Sequence, residues 1–281
     1  MSVYFVIDSA SDVIPEEINT LGNVRILPLK VIFGQQEYAD GVNLSHKEFY
    51  EKLGQTKDMP TTCQVPPADF EQAYEELVSQ GHEVVVITIS SLLSGTYQSS
   101  VIAAADYEGK VFPVDSMTAT IGERVLLQYG MQLAAQGMGA AAIAEELTKV
   151  RDRVRIVATL DTLEFLKRGG RISTATALAG SLLAIKPAIE VKDGIVQMAG
   201  TARGNKKANL LLTQLMDNYG GVNYDMPVTF TYAYDRTLLD QFLTQCPQVW
   251  EQEDPVPAYS LGCTIGAHVG PGAYGIAFFE K

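Results

Sequence analysis

Apolar runs and amphipathic stretches alternate along the first half of the chain. Val3–Asp8 is a short apolar run that ends in the polar cluster Asp8-Ser9-Ala10-Ser11-Asp12, the pattern of a buried parallel strand opening into a ligand-facing loop. Arg25–Phe33, rich in Val, Ile and Leu, reads as a second strand. Ser45-His46-Lys47-Glu48 has capping-box spacing and predicts a helix to about Leu53. Pro67–Gln80 is amphipathic and stops at Gly81, a common helix C-terminal signal. Glu83–Ile89 is almost wholly β-branched and reads as a core strand. A helical stretch over Ser94–Tyr107, a strand over Lys110–Val114 and helices over Ser116–Gln136 and Gly139–Val150 follow. This alternation predicts an open, mostly parallel sheet with flanking helices.

After a strand at Arg155–Leu160 the texture changes. Short helical pieces at Asp161–Arg168 and Ser173–Ile185 precede a β-rich stretch at Lys186–Gln197. A helix at Lys206–Asn218, a strand at Val228–Tyr234 and a helix at Leu238–Gln245 come next, and two strands flanking a Gly-rich turn end the chain. The expected fold is α/β in two domains: residues 1–155 with the parallel sheet, and a smaller α/β unit, residues 156–281, with a mixed or antiparallel sheet.

Composition narrows the function classes. With 281 residues and 47% hydrophobic content the chain can bury a large core, and its net charge of −12 repels phosphate backbones, so nucleic acid is not an expected partner. A local basic patch could still meet a protein or, transiently, a membrane, although the global charge does not predict one. Cys63, Cys246 and Cys263 lack metal-ligand spacing and leave an odd thiol under any pairing. No metal or cofactor is expected. With no secretory pattern at the start and no apolar run near the ~20 residues that span a bilayer, a soluble cytoplasmic protein, monomeric by default, is the simplest reading.

Four polar segments interrupt the apolar pattern. In Met59-Pro60-Thr61-Thr62-Cys63-Gln64-Val65-Pro66-Pro67, prolines hold the chain extended and Thr62 could offer a hydroxyl; a plain helix-entry loop explains the same residues. Ser90-Ser91-Leu92-Leu93-Ser94-Gly95-Thr96 follows a buried strand, where α/β sheets gather ligands, and Ser94 sits where a helix start points N–H groups outward. Ser94 as a simple cap is compatible with that role. Leu166-Lys167-Arg168-Gly169-Gly170-Arg171-Ile172-Ser173 places Arg171, suited to forked carboxylate contacts, between a Gly-Gly turn and an apolar helix. Solvated surface charge is the alternative. Four glycines between Gly262 and Gly272 surround His268, which could donate to an anion.

Taken together and in this order, the segments resemble the DegV family over almost the whole chain. Met59–Pro67 resembles the family's Thr-Ser-Gln-Pro loop, Ser90–Ser100 its Ser-Gly-Thr helix start, Leu163–Ser173 its Gly-Gly-Arg turn, and Gly266–Gly275 its His-Val-Gly-Pro-Gly ending. Asp8–Asp12 and Val114–Gly122 also fit. Cys63 stands where the family commonly has Ser, and Val65-Pro66-Pro67 replaces its Pro-Ser pair. The resemblance implies a non-catalytic carrier with a long-chain fatty acid between its two domains. It also implies Thr62 and Ser94 on the carboxylate, Arg171 and His268 around it, and a separate ATP-dependent fatty acid kinase subunit that phosphorylates the bound acid. Two rivals remain: a Ser-dependent hydrolase using Ser94 and His268 with Asp8 or Asp115, and a phosphate-ligand-binding module. The first lacks a G-x-S-x-G elbow and the second a P-loop or dinucleotide motif.

Overall fold

The computed structural model describes residues 2–56, 59–172, 184–250 and 255–281. In chain order the elements are β1 (Val3–Asp8), α1 (Ile18–Leu21), β2 (Val24–Leu27), β3 (Lys30–Phe33), β4 (Gln36–Ala39), α2 (His46–Gln55), β5 (Thr61–Cys63), α3 (Pro67–Ser79), β6 (Glu83–Thr88), α4 (Thr96–Ala104), β7 (Val111–Asp115), α5 (Ile121–Ala135) and α6 (Ala140–Val150). There follow β8 (Val154–Thr159), α7 (Glu164–Arg168), β9 (Ile185–Lys192), β10 (Ile195–Arg203), α8 (Asn205–Asn218), β11 (Thr229–Tyr232), α9 (Thr237–Gln245), β12 (Ala258–Ser260), α10 (Cys263–Val269) and β13 (Tyr274–Phe279).

The strands form three sheets. β2-β1-β6-β7 is wholly parallel, and its central strands are buried on both faces, which explains their unbroken Val and Ile runs. The second sheet runs β10-β9-β8-β13-β11-β12 and is antiparallel except for the β11–β12 pair. α5 bridges the two sheets: Ile121, Val125 and Leu126 share one core cluster with Phe5, Ile7 and Val85 on one side and Ile156, Val191 and Ala277 on the other. Helices α8 and α9 cover the far face of the second sheet. The α/β fold, with one parallel and one mixed sheet, is the one the sequence pattern predicts.

Three local expectations are corrected. Arg25–Phe33 is two strands, because Pro28 carries no N–H for the ladder: β2 ends at Leu27, and β3 joins the small antiparallel sheet β4-β3-β5. The helix expected from Ser116 begins only at Ile121, because Met117 and Thr120 take positive φ of 51° and 50°. The Gly-rich turn near the C-terminus contains a helix, α10, whose amides are met by carboxylates far away in sequence. The capping box at Ser45 and Glu48 forms as read, with Ser45 N donating to Glu48 Oε2 at 2.9 Å and Glu48 N to Ser45 Oγ at 3.3 Å. The helical reading of Ser173–Ile185 falls outside the described residues up to position 183, and Ile185 itself opens β9.

Candidate functional site

A cavity of about 350 Å³ lies between the carboxyl ends of the parallel strands and one face of the second sheet. Its floor follows from strand alternation: Ile156 and Ala158 on β8 face the same way, opposite Val191 and Ile189 on β9. One row crosses four strands in register, Ile189–Ala158–Gly275–Thr231. The two middle members are small, and that is where a trough forms. A side chain at Gly275 would stand 2.6 Å from the Ala158 Cβ, so the row cannot be filled from β13. The loops after β2, β6 and β7 close the trough with Leu29, Ile89, Leu93 and Ala119.

Besides buried Thr120, Thr231 and Thr264, the lining holds a less buried polar group. Thr62, Ser94, Arg171 and His268 all line this one cavity although they come from four distant segments. Thr62 Oγ1 and His268 Nε2 lie 3.0 Å apart. Arg171 is held by backbone: Nε donates to the Leu93 carbonyl at 3.1 Å and Nη1 to the Gly169 carbonyl at 2.7 Å. Ser94 Oγ is 2.9 Å from Thr96 Oγ1 and accepts from Thr96 N at 3.3 Å, beside the α4 N-terminus. Burial, then the nearby Arg171 guanidinium, pushes the His268 pKa down to about 4, so its ring is neutral at physiological pH.

His268 depends on a glycine. A Cβ at Gly169 would overlap His268 Nδ1, so the Gly-Gly turn admits the imidazole edge as well as reversing the chain. Among the described residues no carboxylate orients that nitrogen, and Nδ1 is buried with no hydrogen-bond partner among them. Asp8 accepts instead from Ala10 N and Ile89 N, both at 2.9 Å, and Asp115 from Ser91 N and Met117 N, both at 3.1 Å. Among the described residues, then, neither Asp8 nor Asp115 hydrogen-bonds His268, whose Nε2 meets Thr62 rather than Ser94.

The Asp8–Asp12 loop does not line the cavity, which corrects the ligand-facing reading. Its acids turn inward and build the wall behind it. Asp12 accepts from Gly262 N at 2.8 Å and from the Thr120 hydroxyl, and Asp40 accepts from Cys263 N at 3.0 Å and Thr264 N at 2.9 Å. These two carboxylates meet the free amides at the start of α10 and so place His268 at its other end. Burial raises the Asp8 and Asp12 carboxyls to about 7 and pushes Glu123 well above the usual range. Arg124 fixes the same corner, with a bidentate pair to Glu17 at 2.7 and 2.9 Å, and stacks over Tyr259.

These supports, and Gln64 with them, are not legible in the sequence. Only the acid-rich Asp8–Asp12 cluster carries any signal, because the Gly262 amide that Asp12 meets lies 250 positions away. Among the described residues no group of His, Cys, Asp and Glu is arranged to hold a metal ion, and no helix is long and apolar enough to cross a membrane.

Comparison with known proteins covers the whole chain. A family model described as "Uncharacterised protein, DegV family" matches residues 2–281. A DegV domain-containing protein of Deinococcus radiodurans is 36% identical over 99% of this chain and 98% of its own length. Among solved structures, one described as fatty acid binding of a DegV family protein from Thermus thermophilus superposes with a TM-score of 0.89. It is 32% identical and covers 100% of both chains. A stearic acid-binding protein from Eubacterium ventriosum gives a TM-score of 0.87 at 27% identity over 100% of this chain and 99% of its own.

Proposed function

The chain belongs to the DegV family, and from that premise we propose that it is a carrier for a long-chain fatty acid. The acyl tail would lie in the apolar trough and the carboxylate at the rim among Thr62, Ser94, Arg171 and His268. One observation carries the reading: a largely apolar cavity whose four predicted polar residues sit together at one edge. Burying methylenes contributes about 0.8 kcal/mol each, so a chain of roughly fifteen gains on the order of 12 kcal/mol before the costs of binding. The tail supplies affinity and the rim fixes the head, since a carboxylate leaving water must keep strong donors.

Under this reading the ligand lies between a unit of residues 1–155 and one of residues 156–281. In this reading the chain carries the acid and does no chemistry on it. The carboxylate is instead held near solvent, where a separate ATP-dependent kinase subunit would phosphorylate it. The relatives described as binding fatty acids, stearic acid in one case, support the ligand class. Native mass spectrometry of the purified protein, followed by lipid extraction, tests the proposal. The expected adduct is one long-chain acid per chain; a bound nucleotide or sugar phosphate instead would overturn it.

A further inference from the structure

Gln64 lies two positions after Thr62, so the extended backbone sends both side chains the same way. Thr62 turns to His268, whereas the Gln64 amide reaches α4, where Nε2 donates to Ser99 Oγ at 2.8 Å. Its Oε1 lies over Gly95, the residue between Ser94 and the first turn of α4: a Cβ there would overlap Oε1 and fall 2.9 Å from Cδ. The Gly95 backbone, φ −74° and ψ 3°, is open to alanine. What a methyl group at this position would displace is the amide packed on it. Gln64 thus ties the strand carrying Thr62 to the helix start carrying Ser94.

We propose that Gln64 is a positioning residue for the head-group seat: by clamping β5 to the start of α4 it sets the separation of the Thr62 and Ser94 hydroxyls. This rests on the carrier reading and names a residue that reading does not contain. The clamp acts through geometry, so it matters only for a ligand that both hydroxyls grip. An acyl carboxylate feels the change; an ester of the same chain, which lacks the anionic head, does not.

The test is a titration with stearate and with its methyl ester of the full chain and its Gln64→Ala, Gly95→Ala and doubly substituted forms, beside thermal melts of each unliganded protein. Each single change is expected to weaken stearate binding about fivefold, the size of one lost hydrogen bond, and to leave ester binding and the melts nearly unchanged. Gly95→Ala should cost nothing further once Gln64 is alanine, because no amide remains to evict. Gln64→Met, which keeps the stem, repeats the measurement should the alanine form fail to fold. Full stearate affinity in the single variants, additive losses in the double one, or equal losses for acid and ester would overturn the inference while leaving the carrier reading standing. A parent protein that binds no stearate would take down both.

Discussion

Thr62 Oγ1 and His268 Nε2 lie 3.0 Å apart although 206 positions separate them in the chain. His268 Nδ1 is buried against Gly169 with no partner among the described residues, and stranding a lone pair there costs less than stranding an N–H. The favoured tautomer therefore carries its proton on Nε2, donates it to Thr62, and frees the threonine hydroxyl hydrogen for an acceptor in the cavity. Under the carrier proposal, histidine and threonine would together present one neutral donor to the carboxylate.

Thr62→Val keeps the shape and removes the hydroxyl. Affinity for a long-chain acid is expected to fall about tenfold, and Thr62→Ser to restore most of it, because only the hydroxyl takes part. Fluorescent-acid displacement measures this. Parent-like binding by the valine variant would place the carboxylate elsewhere.

Asp12 offers a pH test of the wall behind the cavity. Burial raises its pKa from an ordinary 3.8 to about 7, against the opposing pull of Thr120, Gly262 N–H and Arg124. The folded protein keeps a proton that the unfolded chain releases above about pH 4. The stability from this group is therefore complete below about 4 and lost as pH rises to about 7. Asn fits the same place, accepting from Gly262 N and donating to Thr120 Oγ1. The melting temperature of Asp12→Asn minus that of the parent should climb between those two pH values and flatten above them. A difference that does not change with pH would show that Asp12 titrates at its ordinary value.

Features written locally were readable in the sequence, and features made by distant partners were not. Ser94, Arg171 and His268 stand out because small and glycine residues surround them at the ends of apolar elements. β6 is legible because both faces are buried and its run is unbroken. α10 is not legible: its glycines suggest a turn, and the carboxylates that meet its first amides sit at positions 12 and 40. Nor does composition reveal that Met117 and Thr120 take left-handed backbone, which delays α5 by five residues relative to the expected start at Ser116. Gln64 was visible as a letter, but its role needs Gly95 beside it in space.

Ser90 joins the loop after β6 to the second sheet. Its hydroxyl donates to the Gly194 carbonyl at 2.7 Å and accepts from Leu92 N at 3.2 Å, while its own carbonyl accepts from Leu93 N and Ser94 N. Gly194 is the tip of the β9–β10 hairpin, an Asp-Gly turn with both residues at positive φ, and that hairpin supplies Ile189, Val191 and Val196 to the cavity. Ser90→Ala unlatches the wall and should speed release of a bound acid several-fold, as expected for one buried hydrogen bond. Stopped-flow displacement reads the rate, and an unchanged rate would mean that the hairpin does not gate release.

Ala158 tests the course of the acyl tail most directly, because it is the small residue at the middle of the row Ile189–Ala158–Gly275–Thr231. In an Ala158→Phe variant the ring would project into the trough, since the strand neighbours already face the same side. Filling space costs little where a cavity exists, so the melting temperature of the unliganded protein should hold or rise. If the ring displaces about four methylenes, stearate affinity should fall on the order of a hundredfold. The rim residues stay untouched, so the loss would shrink for shorter acids that end before the row. Stearate binding like the parent's by the Ala158→Phe variant, with an unaltered melt, would mean that the tail runs along another surface.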